Sequence, residues 1–148
     1  MNKYLPAVYI ALNLLCIAAS AQTGNNKNNI SVIAYYAGRP EMIDSFEVEK
    51  LTHIIFCFCH LKGNRLHIGS ARDTAAIHKM VALKSRNPAL KVILSMGGWG
   101  GCETCSPVFL KAEGRKAFAR SVKEANDHFG TDGIDLDWEY PAIEGHPG

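Results

Sequence analysis

Apolar residues along this chain fall into short runs, and the later runs are separated by amphipathic stretches. Four runs are rich in β-branched and aromatic residues and therefore predict strands. These runs occupy 30–36, 51–58, 91–96 and 132–140. Two stretches, 73–88 and 111–129, repeat apolar residues at spacings of three and four and predict helices. Strands that alternate with helices indicate a parallel sheet covered by helices.

Residues typical of helix ends and turns support the boundaries of these predicted elements. Asp73 or Thr74 is available to cap the first helix, and Asn87-Pro88 should stop it. Gly130 follows the second helix in the position of a terminating glycine. A turn is expected at 62–64, after the second strand.

The last predicted strand, "DGIDLDWEY" at 132–140, carries an unusual number of acids. Because side chains alternate along a strand, Asp135, Asp137 and Glu139 should share one face, opposite an apolar face. Asp132, at the start of the run, is expected to serve the turn or a fold contact.

Three like charges at ~7 Å spacing repel one another, so a merely solvated acidic face would be costly. Crowding and burial favour retention of a proton by one acid of the row, and a retained proton can serve as a general acid. Glu139 lies nearest the C-terminal end of the strand, where parallel sheets place their sites, and is the predicted donor, with Asp137 as its partner. A divalent-metal site built from these acids is a rival interpretation, weakened by the lack of a nearby histidine ligand.

Composition fits one globular domain, with 47% hydrophobic and 20% charged residues. The formal net charge of +2 provides no basic stripe. Electrostatics therefore give no reason to expect a nucleic acid or an anionic membrane as partner.

The first residues have the pattern of a secretory signal peptide at 1–21. Lys3 precedes an apolar stretch from 4 to 19, and small residues precede a cleavage point after Ala21. A transmembrane anchor is the alternative, but the stretch is short for a span. We expect a protein secreted to the extracellular space or periplasm, with a polar leader at 22–29.

Export permits disulfides, and four cysteines follow the leader. Cys102 and Cys105 form the close pair of a loop, so a bond within this pair or nearby is expected against the alternative of free thiols. Cys57 and Cys59 lie two apart on a strand and should behave as small buried hydrophobes. Zinc held by all four is a poorer alternative, and the six histidines show no metal spacing, so no metal or cofactor is expected.

The acidic stretch at 132–141, "DGIDLDWEYP", resembles the signature of the family 18 glycoside hydrolases, the chitinases. "SMGGW" at 95–99 resembles the second signature of the family, and the first two predicted strands resemble its first two strands. The resemblance covers 30–148 and implies a TIM (β/α)8 barrel, of which about the first four βα units are present. We therefore expect the N-terminal part of a longer catalytic domain.

The resemblance also implies a reaction, the hydrolysis of β-1,4-linked N-acetylglucosamine in chitin with retention of configuration. In this family the acetamido oxygen of the substrate attacks the anomeric carbon. Glu139 would protonate the leaving oxygen and later activate water, Asp137 would hold the acetamido N–H, and Asp135 would lie deeper and share a proton with Asp137.

Further residues match substrate-binding positions of the family, so chitin or chito-oligosaccharides are the implied partners. Tyr35 and Ser95 would hydrogen-bond the inner acids, Trp99 would stack on a sugar, and Phe58 would form a wall of the pocket. Tyr140 is a further substrate-binding candidate. Each has a plainer interpretation as a core or surface packing residue.

The alternative function is that of a non-hydrolytic carbohydrate-binding relative or an inactive partial domain. The retained Glu139 favours the enzyme. The segment 22–148 alone is expected to lack chitinase activity, because the family supplies further site residues from strands five to eight.

Overall fold

A computed structural model describes residues 30–141. The predicted signal peptide at 1–21 and the polar leader at 22–29 lie outside the described residues, as do residues 142–148. Within residues 30–141, every helix is too short or too polar to span a lipid bilayer.

Strands and helices follow one another in the order expected of βα units. The strands are β1 (Ile33–Tyr36), β2 (His53–Lys62), β3 (Arg65–His67), β4 (Lys91–Gly97) and β5 (Gly133–Asp137). The helices are α1 (Ala71–Ala82), α2 (Cys105–Phe109) and α3 (Ala112–Phe129). Short 3₁₀ segments occupy Pro40–Ser45, Val48–Lys50 and Leu83–Ser85.

Four of these strands form a parallel sheet in the order β1-β2-β4-β5, so strands that follow one another in the parallel layer are neighbours in space. This arrangement confirms the predicted parallel sheet and corresponds to the first part of a (β/α)8 barrel. The core lies between the sheet and the helices. Its fully buried side chains include Ile54, Val92 and Leu94 from the sheet and Ile77 and Met80 from α1.

The sequence did not predict β3, which pairs antiparallel with the end of β2. Strand β2 runs to Lys62, beyond the predicted end at 58, because alternation continues through Cys59 and Leu61. The expected turn at 62–64 then reverses the chain. Leu66 on β3 is buried, and its N–H donates to Ser121 Oγ at 2.8 Å. A contact with α3, distant in sequence, therefore fixes this short strand.

The cap of α1 also differs from the prediction. Ser70, and not Asp73 or Thr74, is the N-cap, since its Oγ accepts from the Asp73 N–H at 3.1 Å. Asp73 contributes through its carboxylate, which accepts from Ser70 Oγ at 2.8 Å. The end of α3 is as predicted, because Gly130 adopts the left-handed conformation with φ 77°.

Strand β5 is shorter than the predicted run of 132–140. Its neighbour β4 ends at Gly97, which pairs with Asp137, and the Gly98 N–H donates the last bond to the Asp137 carbonyl at 2.9 Å. The glycines that follow turn β4 away, so the pairing of β5 with β4 ends at Asp137. Asp135 and Asp137 lie on the strand as predicted, whereas the prediction that Glu139 is also a strand residue is wrong.

Asp132 links the N-terminal ends of β4 and β5, which confirms the expected fold contact. Its Oδ2 accepts from the Val92 N–H at 2.8 Å and lies 2.7 Å from Lys84 Nζ, while Lys91 Nζ lies 3.5 Å from Oδ1. Partial burial alone would raise the pKa of Asp132, but the bonds from Lys84 and the Val92 N–H and the two positive charges lower it.

We predict that Asp132→Asn lowers the free energy of unfolding by about 1–3 kcal/mol at pH 7, because a charge-assisted bond to backbone and lysine is weakened. The carboxyl group of Asp132 has a lowered pKa in the folded chain. Its contribution is therefore complete above the ordinary aspartate pKa of about 4 and is lost as the pH falls through the lowered value.

Urea unfolding of both proteins at pH 7 and at lower pH measures this difference. Asp127→Asn is the matched control, because Asp127 pairs with Lys123 on the exposed face of α3 and its side chain is 65% exposed. Equal effects of the two substitutions would contradict the role assigned to Asp132.

Candidate active site

Side chains from the first and last strands of the parallel sheet meet over one face of it. Tyr35 Oη on β1 donates to Asp135 Oδ2 on β5 at 3.3 Å. The two strands are separated by β2 and β4, which across a flat sheet would set them about 14 Å apart. The contact therefore requires a strongly curved sheet, and both side chains lie on its concave face. This is the interior face of a barrel.

Ser95 on β4 completes this contact. Its Oγ donates to the same Oδ2 of Asp135 at 2.7 Å, and the two residues are paired in the register of β4 and β5. Ser95 is fully buried, so its hydroxyl depends on this acceptor. Burial and then the charge and hydrogen bond of Asp135 raise the pKa of Tyr35 above its usual value, so the phenol keeps its proton at neutral pH.

An open cleft of about 420 Å³ lies beside these residues. It is lined by Tyr35, Ala37, Cys57, Phe58 and Asp137. Asp137 is the last residue of β5, so the cleft lies at the C-terminal end of the strands, where parallel sheets bind their ligands. The structure thus brings together Tyr35, Phe58 and Asp137 of the predicted site.

Cys57 was not predicted to belong to the cleft. The expectation of a buried hydrophobe is correct for Cys59, which is fully buried, and wrong for Cys57, which is half-buried and lines the cleft. Ile55 pairs with Tyr35 in the register of β1 and β2, so alternation places Cys57, two residues further on, on the concave face with Tyr35. A register shift between Phe56 and Cys59 in the pairing of β2 with β4 then breaks the alternation, so Phe58 reaches the cleft as well.

The environment of Cys57 determines its chemistry. Burial, followed by the negative charges of Asp135 and Asp137, raises the pKa of Cys57 to about 11. The thiol is therefore protonated at neutral pH and is not an activated nucleophile.

The glycines after Ser95 allow the ends of β4 and β5 to approach closely. Gly97 has φ +120°, and a Cβ at this position would lie 2.1 Å from the carbonyl oxygen of Asp137. Gly98, with φ +80°, would place a Cβ 2.9 Å from the Phe58 ring. Only glycine fits these two positions, which hold the backbone of Asp137 and the ring of Phe58 at the cleft.

The remaining predicted residues lie around the C-terminal end of the strands. Glu139 follows Asp137 by two residues, at a bend beyond β5, and is half-buried. Tyr140 comes next, after a cis peptide bond, and is 40% exposed. Trp99 lies in the loop after β4 and is 85% exposed.

Two of the predicted cysteines are bonded to each other. A Cys102–Cys105 disulfide is present, which confirms the expected bond and removes the alternative of zinc held by four cysteines. Within residues 30–141, no three His, Cys, Asp or Glu side chains are grouped so as to hold a metal ion.

A curved parallel sheet with acids on its concave face defines the class of (β/α)8 barrel proteins with an acidic site at the C-terminal ends of the strands. Comparison with family models gives a match to "Glycosyl hydrolases family 18" over residues 21–146. The chain belongs to glycoside hydrolase family 18.

Individual relatives agree with this membership. The chain is 34% identical to chitotriosidase-1 of Mus musculus over 97 residues, which covers 65% of this chain and 21% of that protein. It superposes on the chitinase domain of the spore coat protein CotE from Clostridium difficile with a TM-score of 0.68 and 35% identity, covering 80% of this chain and 34% of that one.

A third relative is a family 18 N-acetylglucosaminidase from Paenibacillus barengoltzii, with a TM-score of 0.66 and 32% identity. The match covers 78% of this chain and 34% of that structure. The chain thus spans about a fifth of the curated relative and about a third of the two solved structures.

We predict that Gly97→Ala destabilises the chain by about 1–3 kcal/mol more than Gly100→Ala, because the added methyl would collide with the Asp137 carbonyl. Gly100 is the matched control, since it also has a positive φ, +69°, but no heavy atom lies within 4 Å of a Cβ there. Urea unfolding measures both. Equal losses would mean that the close approach of β4 to Asp137 does not constrain this position.

Proposed function

We propose that this chain is the N-terminal part of the catalytic domain of a secreted chitinase, which hydrolyses β-1,4 linkages between N-acetylglucosamine units. The observation that carries the proposal is the hydrogen bonding of Asp135 by Tyr35 and Ser95 on the concave face, beside a cleft that includes Asp137. Membership of family 18 supports it.

The proposed reaction has two steps and needs no carboxylate nucleophile. In the first step the acetamido oxygen of the bound sugar attacks its anomeric carbon, and the bond to the leaving oxygen breaks. Glu139 gives its proton to that oxygen, which leaves an oxazolinium ion and a carboxylate at Glu139. In the second step this carboxylate takes a proton from water as the water attacks the anomeric carbon. The bond from that carbon to the acetamido oxygen breaks, which restores the acetamido group and the acid and gives a product with retained configuration.

Asp137 is proposed to orient the nucleophile. A carboxylate that accepts the acetamido N–H turns the acetamido oxygen toward the anomeric carbon and balances the charge of the oxazolinium ion. Its position at the end of β5, beside Tyr35 in the cleft, supports this role.

Asp135 is proposed to act one layer deeper, as the acid that shares a proton with Asp137. The bonds from Ser95 and Tyr35 both fall on its Oδ2 and fix the orientation of the carboxylate. A fixed inner carboxylate can position its neighbour without reorganisation during the reaction.

The aromatic residues are proposed to bind the sugar rings. Phe58 lines the cleft and can form a wall against an apolar sugar face. Trp99 exposes most of its indole beside the end of β4 and can stack on a further sugar. Tyr140, next to Glu139, is proposed as a hydrogen-bonding contact.

We predict that Glu139→Gln, made in the whole protein that carries this segment, lowers kcat on chitin oligosaccharides by at least about 100-fold, because the amide cannot donate the proton. Affinity should stay within about threefold, since the side-chain shape is kept. Turnover assays and calorimetric titration with chitohexaose measure the two quantities.

Glu113→Gln is the matched control, because Glu113 is an exposed residue in the first turn of α3. It should leave turnover unchanged. Full activity of the Glu139 variant would refute its assignment as the acid. A wild-type protein that binds chitohexaose without turnover would instead favour the non-hydrolytic alternative.

A further inference from the structure

The loop that carries Trp99 is built almost entirely of glycine. Gly97, Gly98, Gly100 and Gly101 flank the indole on both sides, and three of them have positive φ values. Glycine loses more backbone freedom on folding than any other residue, so such a loop is costly to order. Because Trp99 is 85% exposed, the packing of its own side chain does not fix the conformation of this loop.

The Cys102–Cys105 disulfide lies directly after this loop and is buried against the strand from which the loop starts. Cys102 is 5% exposed and Cys105 is fully buried. Both sulfurs lie 3.9 Å from the sulfur of Met96, a fully buried residue of β4. The disulfide therefore anchors the far end of the loop to the residue that precedes its first glycine.

Close backbone contacts make the loop compact between these two anchors. The Gly101 N–H donates to the Gly98 carbonyl at 2.8 Å, and a Cβ on Gly101 would lie 2.0 Å from the Gly97 carbonyl oxygen. At the other end, Gly97 contacts the Asp137 backbone. The position of Trp99 is thus set by where Cys102 is held.

We propose that the Cys102–Cys105 disulfide is a positioning device that holds Trp99 at the rim of the cleft for substrate binding. The proposal rests on the proposed function for its sugar ligand. The disulfide contacts β4 through Met96, whereas Asp135 is held by Ser95 and Tyr35. Loss of the disulfide should therefore weaken binding and leave the chemical step unchanged.

The first test measures the mobility of Trp99 without any sugar. The chain has two tryptophans, so Trp138→Phe leaves Trp99 as the single emitter and Trp99→Phe leaves Trp138. Adding Cys102→Ala and Cys105→Ala should lower the fluorescence anisotropy of Trp99 and increase its quenching by acrylamide. The emission of Trp138, which packs against the core and on Phe109 at 5.5 Å between ring centroids, should change much less than that of Trp99.

The second test measures function in the whole protein, with both tryptophans present. The double alanine variant should bind chitohexaose about 5–10-fold more weakly, with kcat at saturation within about twofold of wild type. In a Trp99→Ala background the same cysteine replacements should have no further effect on affinity. A role in general stability would not produce this dependence on Trp99.

The outcomes separate the two proposals. If wild type neither binds nor cleaves chitohexaose, the proposed function fails, and Trp99 anisotropy alone decides the role of the disulfide. An unchanged anisotropy of Trp99, or an equal fall in the anisotropy of Trp99 and Trp138, overturns the positioning role of the disulfide. If the alanine variant does not fold, the native protein is reduced with dithiothreitol and alkylated, its fold is checked by circular dichroism, and the same readouts apply.

Discussion

Two hydrogen bonds to one carboxylate oxygen fix the arrangement of the side chains in this site. Asp135 Oδ2 accepts from Ser95 on the neighbouring strand and from Tyr35 on the far strand of the sheet. The second bond exists only because the sheet curves enough to bring β1 over β5. The curvature of the sheet therefore shapes the site directly, because it allows a residue on the strand of one βα unit to donate a hydrogen bond to the acid of another.

The same constraint explains why a strand can carry so many acids. Ile134 and Trp138 pack against the core, so the alternate residues must lie on the concave face. There Asp135 is satisfied by hydroxyl groups, and Asp137 faces an open cleft that water or a polar ligand can fill. Glycines at the end of β4 allow the two strands to approach at this level, and the disulfide behind them anchors the loop that extends from it.

Much of this arrangement could be predicted from the sequence, because apolar runs and helical spacing are local signals. They gave the parallel strands and both long helices. What they could not give depends on contacts between distant residues. Strand β3 requires Ser121 on α3, the end of β5 is set by the end of its partner β4, and Phe58 reaches the cleft only through a bulge in pairing. Alternation alone predicts the opposite side of the sheet for Phe58, which follows the core residues Ile54 and Phe56 at spacings of two.

The most direct test of this account is a crystal structure of the whole protein with a chito-oligosaccharide bound. We predict a sugar ring in the cleft between Tyr35, Phe58 and Asp137, with its acetamido N–H within hydrogen-bond distance of the Asp137 carboxylate. Asp135 should remain bonded to Ser95 and Tyr35 behind it. A sugar bound elsewhere, or Asp135 and Asp137 turned away from the concave face into bulk solvent, would contradict the account.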